Sequence, residues 1–232
     1  MLLLCLSWGC GGNSNSADPP GSYSTNFPNT ENPISEGGKW VNGKAVGLDW
    51  ANVSTTSGRA VGNQTGPDFT DATAVLQNLT WGSDQKATAQ VATTGAPNEN
   101  CFQEVELRLR TVIAPHSITG YEVNYKFSND STAYMQIVRW NGDFADFTIL
   151  QSFDGQKYGV TNGDVVSATV VGNVITAYKN GVQQGQATDN TFASGSPGIG
   201  FNLTNDVSGC PGTNGNYGFS SFSALDSSHG SF

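Results

Sequence analysis

The chain has 232 residues, with 10 Lys+Arg against 19 Asp+Glu and a formal charge of −9. Charged residues make up 12%, well below the roughly 25% of an ordinary soluble domain, yet the low charge and 10% aromatic content also exclude a disordered chain. An acidic, Lys-poor chain lacks the clustered cations that phosphate contacts need, so nucleic acid is excluded as a partner.

Residues 1–10 begin with the apolar run Met1-Leu2-Leu3-Leu4-Cys5-Leu6 and end on Gly9-Cys10. The run is too short to cross a bilayer, which takes about 20 apolar residues. It fits the apolar part of a secretory signal. Gly9 and Cys10 fall where a lipobox places them, and the segment resembles a bacterial lipoprotein signal, although Ser7 and Trp8 depart from that pattern. The resemblance implies export and lipidation of Cys10, with that lipid as the only membrane contact and the protein held at the outer membrane or cell surface, or secreted. Residues 11–29, rich in Ser, Asn, Gly and Pro, read as a flexible tether. Cys101 and Cys210 then remain as an even pair, which in an exported protein reads as a disulfide. The two isolated cysteines and two distant histidines lack the spacing of a zinc site.

Residues 30–226 read as a single domain. Short alternating runs predict strands over 71–77, 86–92, 102–110, 120–127 and 133–140. Residues 133–188 predict a meander of five or six antiparallel strands, punctuated by Asn141-Gly142, Asp154-Gly155, Gly172-Asn173 and Asn180-Gly181, residue pairs that accept the positive φ of tight hairpins. Ile199, Phe201 and Leu203 alternate in a further strand, and Tyr217, Phe219 and Phe222 mark the last one. Residues 227–232 form a tail. Roughly 12–14 short strands without helical crossovers predict an all-β fold of two packed antiparallel sheets.

The segment from Gly163-Asp164-Val165, through Tyr178-Lys179-Asn180-Gly181 and Thr188-Asp189-Asn190-Thr191-Phe192, to Pro197-Gly198-Ile199-Gly200 resembles the concanavalin A-like lectin/glucanase superfamily, and within it the laminin-G-like bacterial jelly rolls. The resemblance implies a jelly-roll sandwich that takes a polysaccharide or glycan. It requires no cofactor, but suggests a structural calcium ion held by Asp226, with Glu31 or Asn32 near the domain start.

Alternation sorts the middle strands into two faces. Val105, Leu107 and Leu109 point to the core, while Glu104, Glu106, Arg108 and Arg110 form a polar row. Tyr121, Val123, Tyr125 and Phe127 sort against Glu122, Asn124 and Lys126. Tyr134, Gln136, Val138 and Trp140 sort against Met135, Ile137 and Arg139. If these strands are neighbours, Glu104, Glu106, Arg108, Glu122, Asn124, Tyr134, Gln136 and Trp140 share one surface. Its acids and amides suit sugar hydroxyls, and the rings of Tyr134 and Trp140 suit sugar C–H faces. Glu104 and Glu106 are the candidate catalytic carboxylates of a glycoside hydrolase. Superfamily glucanases carry a third acid where Arg108 stands, and an Arg beside a Glu is expected to hold it ionised. Lyases of the superfamily carry a Gln-x-His strand, which this sequence lacks. The leading expectation is therefore an exported, surface-anchored, lectin-like carbohydrate-binding domain. The alternatives are a hydrolase or lyase of polysaccharides, and a structural or assembly protein of the envelope that self-associates.

Overall fold

Strand formation follows the period-two burial of small and β-branched side chains, and the tight turns sit where Asn and Gly supply the backbone freedom. The computed structural model describes residues 21–44, 49–65, 69–97, 101–203 and 214–232. The signal and lipidation expectations, Cys10 among them, lie outside the described residues, as does Cys210. Its strands in chain order are β1 (Ser22–Thr25), β2 (Trp40–Asn42), β3 (Val53–Thr56), β4 (Arg59–Gly62), β5 (Ala72–Leu76), β6 (Gln85–Thr93), β7 (Gln103–Ala114), β8 (Ser117–Lys126), β9 (Tyr134–Gly142), β10 (Phe147–Asp154), β11 (Val165–Val171), β12 (Val174–Lys179), β13 (Val182–Thr188), β14 (Ser196–Leu203) and β15 (Tyr217–Asp226). One sheet runs β13-β12-β11-β6-β15-β4-β3, with β1 paired to β15, and the other runs β10-β9-β8-β7-β14-β5-β2. The architecture is an all-β, two-sheet antiparallel sandwich of jelly-roll type, as the alternation predicts.

The core lies between the sheets. Val105, Leu107, Leu109, Tyr121, Val123, Tyr125, Met135 and Ile137 face Ala87, Ala89, Val91, Val166, Ala168, Val170, Phe219 and Phe222 across it. The two tyrosines of β8 end in hydroxyls that cannot stay unpaired in such a core. Tyr125 donates to the carbonyl of Tyr178 at 2.8 Å, and Tyr121 donates to Asp189 at 2.7 Å.

The structure departs from the sequence expectations in three places that shape the fold. The first strand, Ser22–Thr25, falls inside the expected tether of residues 11–29 and pairs with β15 from Ser22↔Leu225 to Thr25↔Phe222. Its Ser-Tyr-Ser-Thr composition gives little apolar signal, and only Tyr23 is buried in the core. The expected meander over 133–188 is split between the sheets. β9 and β10 close one edge of the seven-stranded sheet, and the chain then crosses at Gln156–Tyr158, a single 3-10 turn, to begin β11 in the other. Asn180-Gly181 does form a hairpin turn, with φ values of 51° and 77°, as a type I′ turn requires. Arg110 leaves the polar row. A bulge between Leu109 and Val112 gives it a φ of 47°, and its guanidinium donates to the carbonyls of Ser83, Phe192 and Gly172.

Candidate functional site

The strands carrying the polar row are neighbours, in the order β9-β8-β7-β14-β5. The antiparallel register sets Arg108 opposite Glu122, Glu106 opposite Asn124, and Asn124 opposite Gln136. On the other side of β7, β14 presents Gly198 opposite Arg108, Gly200 opposite Glu106, and Asn202 opposite Glu104. A side chain at residue 200 would collide with the pair beside it, because a Cβ there would sit 2.1 Å from Glu106 Oε2 and 3.1 Å from Arg108 Nε. These glycines leave the outward face of the sheet open for long charged side chains to lie flat on it.

Arg108 is the hub. It is 1% exposed, its Nη2 lies 2.5 Å from Glu106 Oε2, and its Nη1 lies 2.6 Å from Glu122 Oε2. Nη2 also donates to Thr73 Oγ1 at 3.1 Å and stands 3.6 Å from Asp71 Oδ2. The guanidinium lies over the Trp140 ring, 5.4 Å from its centroid. Glu122 accepts further bonds from Trp140 Nε1 at 2.6 Å and Asn124 Nδ2 at 2.8 Å. Glu104 accepts from the Tyr134 hydroxyl and, at 2.9 Å, from Asn202 Nδ2.

Three buried carboxyls, of Asp71, Glu106 and Glu122, therefore meet one guanidinium, with Glu104 beside them, and burial decides the titration of Asp71, Glu104 and Glu106. It pushes Asp71 and Glu106 well above the ordinary carboxylate range, with the charge of Glu122 adding to the effect and Arg108 only partly offsetting it. Burial raises Glu104 as well, against the bonds from Tyr134 and Asn202. For Arg108, burial acts downward, but the charges of Glu122 and Glu106 hold it above its ordinary value. The expectation that Arg108 would hold its neighbour at an ordinary value is thus corrected for Glu106, because desolvation of a fully covered carboxyl outweighs one adjacent charge.

Over this network lies a cleft of about 250 Å³. Asp71, Glu104, Glu122, Asn124, Tyr134, Gln136, Trp140 and Asn202 supply its polar groups, and Phe69, Phe102, Val138, Phe147 and Ile149 its apolar walls. Glu106 and Arg108 do not line it; they lie beneath. Phe69 and Phe102 keep 43% and 44% of their surface exposed. Phe69 packs on Phe147 at 5.4 Å on one bank, and Phe102 packs on Tyr134 at 6.4 Å on the other.

Trp140 is not the open platform expected from the sequence. It is 3% exposed and forms a small cluster with Trp50, Ile118 and Val138, outside the inter-sheet core. Trp50 meets its ring edge-on at 6.0 Å, and Phe147 covers it at 5.4 Å. Accessible ring surface belongs instead to Phe69 and Phe102, and in part to half-buried Tyr134 and Phe147. Phe69 lies before β5, outside the strands that were sorted, and Phe102, although it shares the parity of Glu104, stands one residue before β7 begins. Asp71 and Asn202 were missed because each reads as part of an ordinary strand until β14 is known to lie between β7 and β5.

Asp226 is placed differently from the calcium ligand expected of it. Its Oδ2 accepts from the Gly82 backbone N–H at 2.7 Å, and its Oδ1 from that of Ser228 at 3.0 Å, which caps the 3-10 turn Ser227–His229. Those bonds lower its pKa although burial opposes them. Glu31 likewise accepts from the N–H groups of Ser35 and Glu36, both at 2.9 Å. These backbone bonds hold Asp226 and one oxygen of Glu31 in place within the chain itself. Among the described residues, Asp71, Glu106 and Glu122 do bring carboxylate oxygens within 4.8 Å of one another, but Arg108 already supplies the positive charge there. His116 is exposed at 3.2 Å from Asp49, and His229 directs one ring nitrogen at both Ser228 and Asp226; neither lines the cleft.

No protein-family model and no curated protein sequence matches the chain. Solved structures do. The exoplasmic/lumenal domain of VIP36 in a Ca²⁺- and mannose-bound form superposes with a TM-score of 0.57 at 11% identity, over 84% of this chain and 87% of that one. The carbohydrate-binding module CBM66 from Bacillus subtilis gives 0.52 at 12%, over 74% and 96%. A glycoside hydrolase of family 16 from Bacteroides ovatus, in complex with a mixed-linkage glucan product, gives 0.51 at 12%, over 88% and 99%. At such identities the likeness is one of fold: the chain has the concanavalin A-like lectin/glucanase fold.

Proposed function

We propose that this chain is a glycan-binding, lectin-like domain, exported and held at the cell surface through Cys10, and that the cleft over β7–β9 is its binding site. One observation carries the reading: exposed aromatic rings on two banks flank a floor of acids and amides. Sugars demand that combination, with C–H faces on rings and hydroxyls on fixed acceptors and donors. Carbohydrate is also common to the three similar structures, as bound mannose, as a carbohydrate-binding module and as a bound glucan product. Affinity at a single site is expected to be weak, because each hydroxyl contact replaces a contact with water. Many copies on one surface would raise avidity.

A catalytic role is the second reading, favoured by the raised pKa of Glu104 in the cleft. Against it stands Glu106, which is 0% exposed and turned beneath the floor toward Arg108. A retaining hydrolase needs two carboxyls flanking the scissile bond, and only one of this pair reaches the cleft. The test is a glycan array on the full chain together with an assay for reducing and unsaturated ends. Binding that weakens at least tenfold in Phe102→Ala, without product release, supports the lectin reading. Product release that Glu104→Gln abolishes would replace it with the enzymatic one.

A further inference from the structure

The cleft is charged on one side only. Asp71, Glu104 and Glu122 line it, and no Lys, Arg or His among the described residues does. The nearby cations are committed elsewhere. Arg108 lies under the floor between Glu106 and Glu122. Lys126, 3% exposed, donates to Thr132 at 2.8 Å and lies against the rings of Phe102 and Tyr134. Asp71 is 5% exposed, and its Oδ1 has no hydrogen-bond partner among the described residues; the same is true of Asn202 Oδ1. Two buried acceptors thus share one cleft without donors, although unmet buried acceptors are rare in folded proteins.

Resting on the glycan-binding reading above, we infer that the cleft takes a sugar bearing a free, protonated amine, with Asp71 as its counter-ion. An ammonium group brings three donors and no acceptor, which matches a site supplying Asp71 Oδ1 and Asn202 Oδ1 and no donor to them. It also brings a positive charge to a cleft lined by three carboxyls and, among the described residues, by no cation, where a uronic or sulfated sugar would add a further acid. A dehydrated metal ion fits less well, because Arg108 already holds a positive charge against Glu106 Oε2 and Glu122 Oε2.

The binding carries a proton signature. Asp71 feels the charges of Glu104, Glu106 and Arg108 from β7 and Glu122 from β8, and acts on Tyr217 of β15; Tyr134, with Lys126 against its ring, lines the same cleft. Burial favours the protonated carboxyl of the free protein. An arriving ammonium favours the carboxylate, so binding releases protons and strengthens with rising pH until the amine itself deprotonates.

The test is calorimetry on the full chain with three probes: the hexasaccharides of glucosamine, of N-acetylglucosamine and of glucose. Glucosamine hexasaccharide should bind at least tenfold more tightly than the other two, with a heat that depends on the ionisation enthalpy of the buffer, and Asp71→Asn should remove that preference. Equal or tighter binding of either neutral hexasaccharide overturns the inference while leaving the glycan reading intact. A preference that survives a folded Asp71→Asn variant is general attraction to an acidic protein and overturns it too. If that variant does not fold, the buffer dependence in the wild type decides, and its absence overturns the inference. Failure of all three probes, together with an empty glycan array, removes the glycan reading itself.

Discussion

Replacing Arg108 by Met keeps the approximate length of the side chain and removes the only positive charge between Glu106 and Glu122. In the wild type the guanidinium meets these two carboxylates at 2.5 and 2.6 Å, Asp71 at 3.6 Å and Thr73 at 3.1 Å, with 1% of its surface exposed. Breaking a buried ion pair by deleting one partner costs about 3–5 kcal/mol, because the remaining charge stays buried and uncompensated. For a domain of this size each kcal/mol shifts Tm by roughly 2–4 °C, so the variant should melt roughly 6–20 °C lower at neutral pH. The loss has to depend on pH. Asp71, Glu104 and Glu106 have native pKa values raised above their unfolded values, so their contribution to stability is complete below the unfolded value of about 4 and declines as pH rises through the native values. Without Arg108 the carboxyls hold protons more tightly still, and that decline steepens. Urea unfolding at pH 5 and pH 8 measures it directly: the Arg108→Met penalty should be larger at pH 8 than at pH 5. A penalty below about 1 kcal/mol at pH 8, or the same penalty at both pH values, would refute the view that Arg108 is the counter-ion of a buried acid cluster.

The wild type itself should lose stability between pH 5 and pH 8, read as a falling urea midpoint at constant m-value; the lowered carboxyls Asp130, Asp189 and Asp226 add slope of the opposite sign only below about pH 4. Gly200→Ala should destabilise the chain by about 1–3 kcal/mol in the same assay, since its Cβ would meet Glu106 Oε2 at 2.1 Å. Gly95→Ala, with nothing within 4 Å of the added atom, is the matched control and should be near neutral. Non-reducing peptide mapping should recover Cys101 linked to Cys210, and a double Ser replacement of these two should lower stability by about 2–5 kcal/mol; alkylation of Cys101 and Cys210 in the untreated protein would rule the bridge out.

The architecture was legible in the sequence wherever local alternation carried it. The two faces of Glu104–Leu109 and of Tyr121–Phe127 follow from a pleat of period two, which no tertiary contact can shift without moving every side chain to the other face. The hairpin at Asn180-Gly181 follows from backbone sterics at two residues. Short polar strands such as Ser22–Thr25 carry no such signal, because they are held by pairing with β15 and not by their own apolar content.

The site is a different kind of object, since its character depends on which strands lie side by side and what covers them. Sequence placed Glu104, Glu106, Arg108 and Glu122 on one face, but an acid on an open face and an acid under a roof have opposite electrostatics. Trp50 and Phe147, far apart in the chain, close over Trp140 and turn an expected stacking platform into a buried support for Glu122. Asp71 enters the cluster only because β14 pairs with both β5 and β7, bringing a third carboxyl to a guanidinium already shared by two. Alternation within a strand is a local property of the backbone, whereas the burial that raises these carboxyls is set by neighbours that the strand's own sequence does not contain.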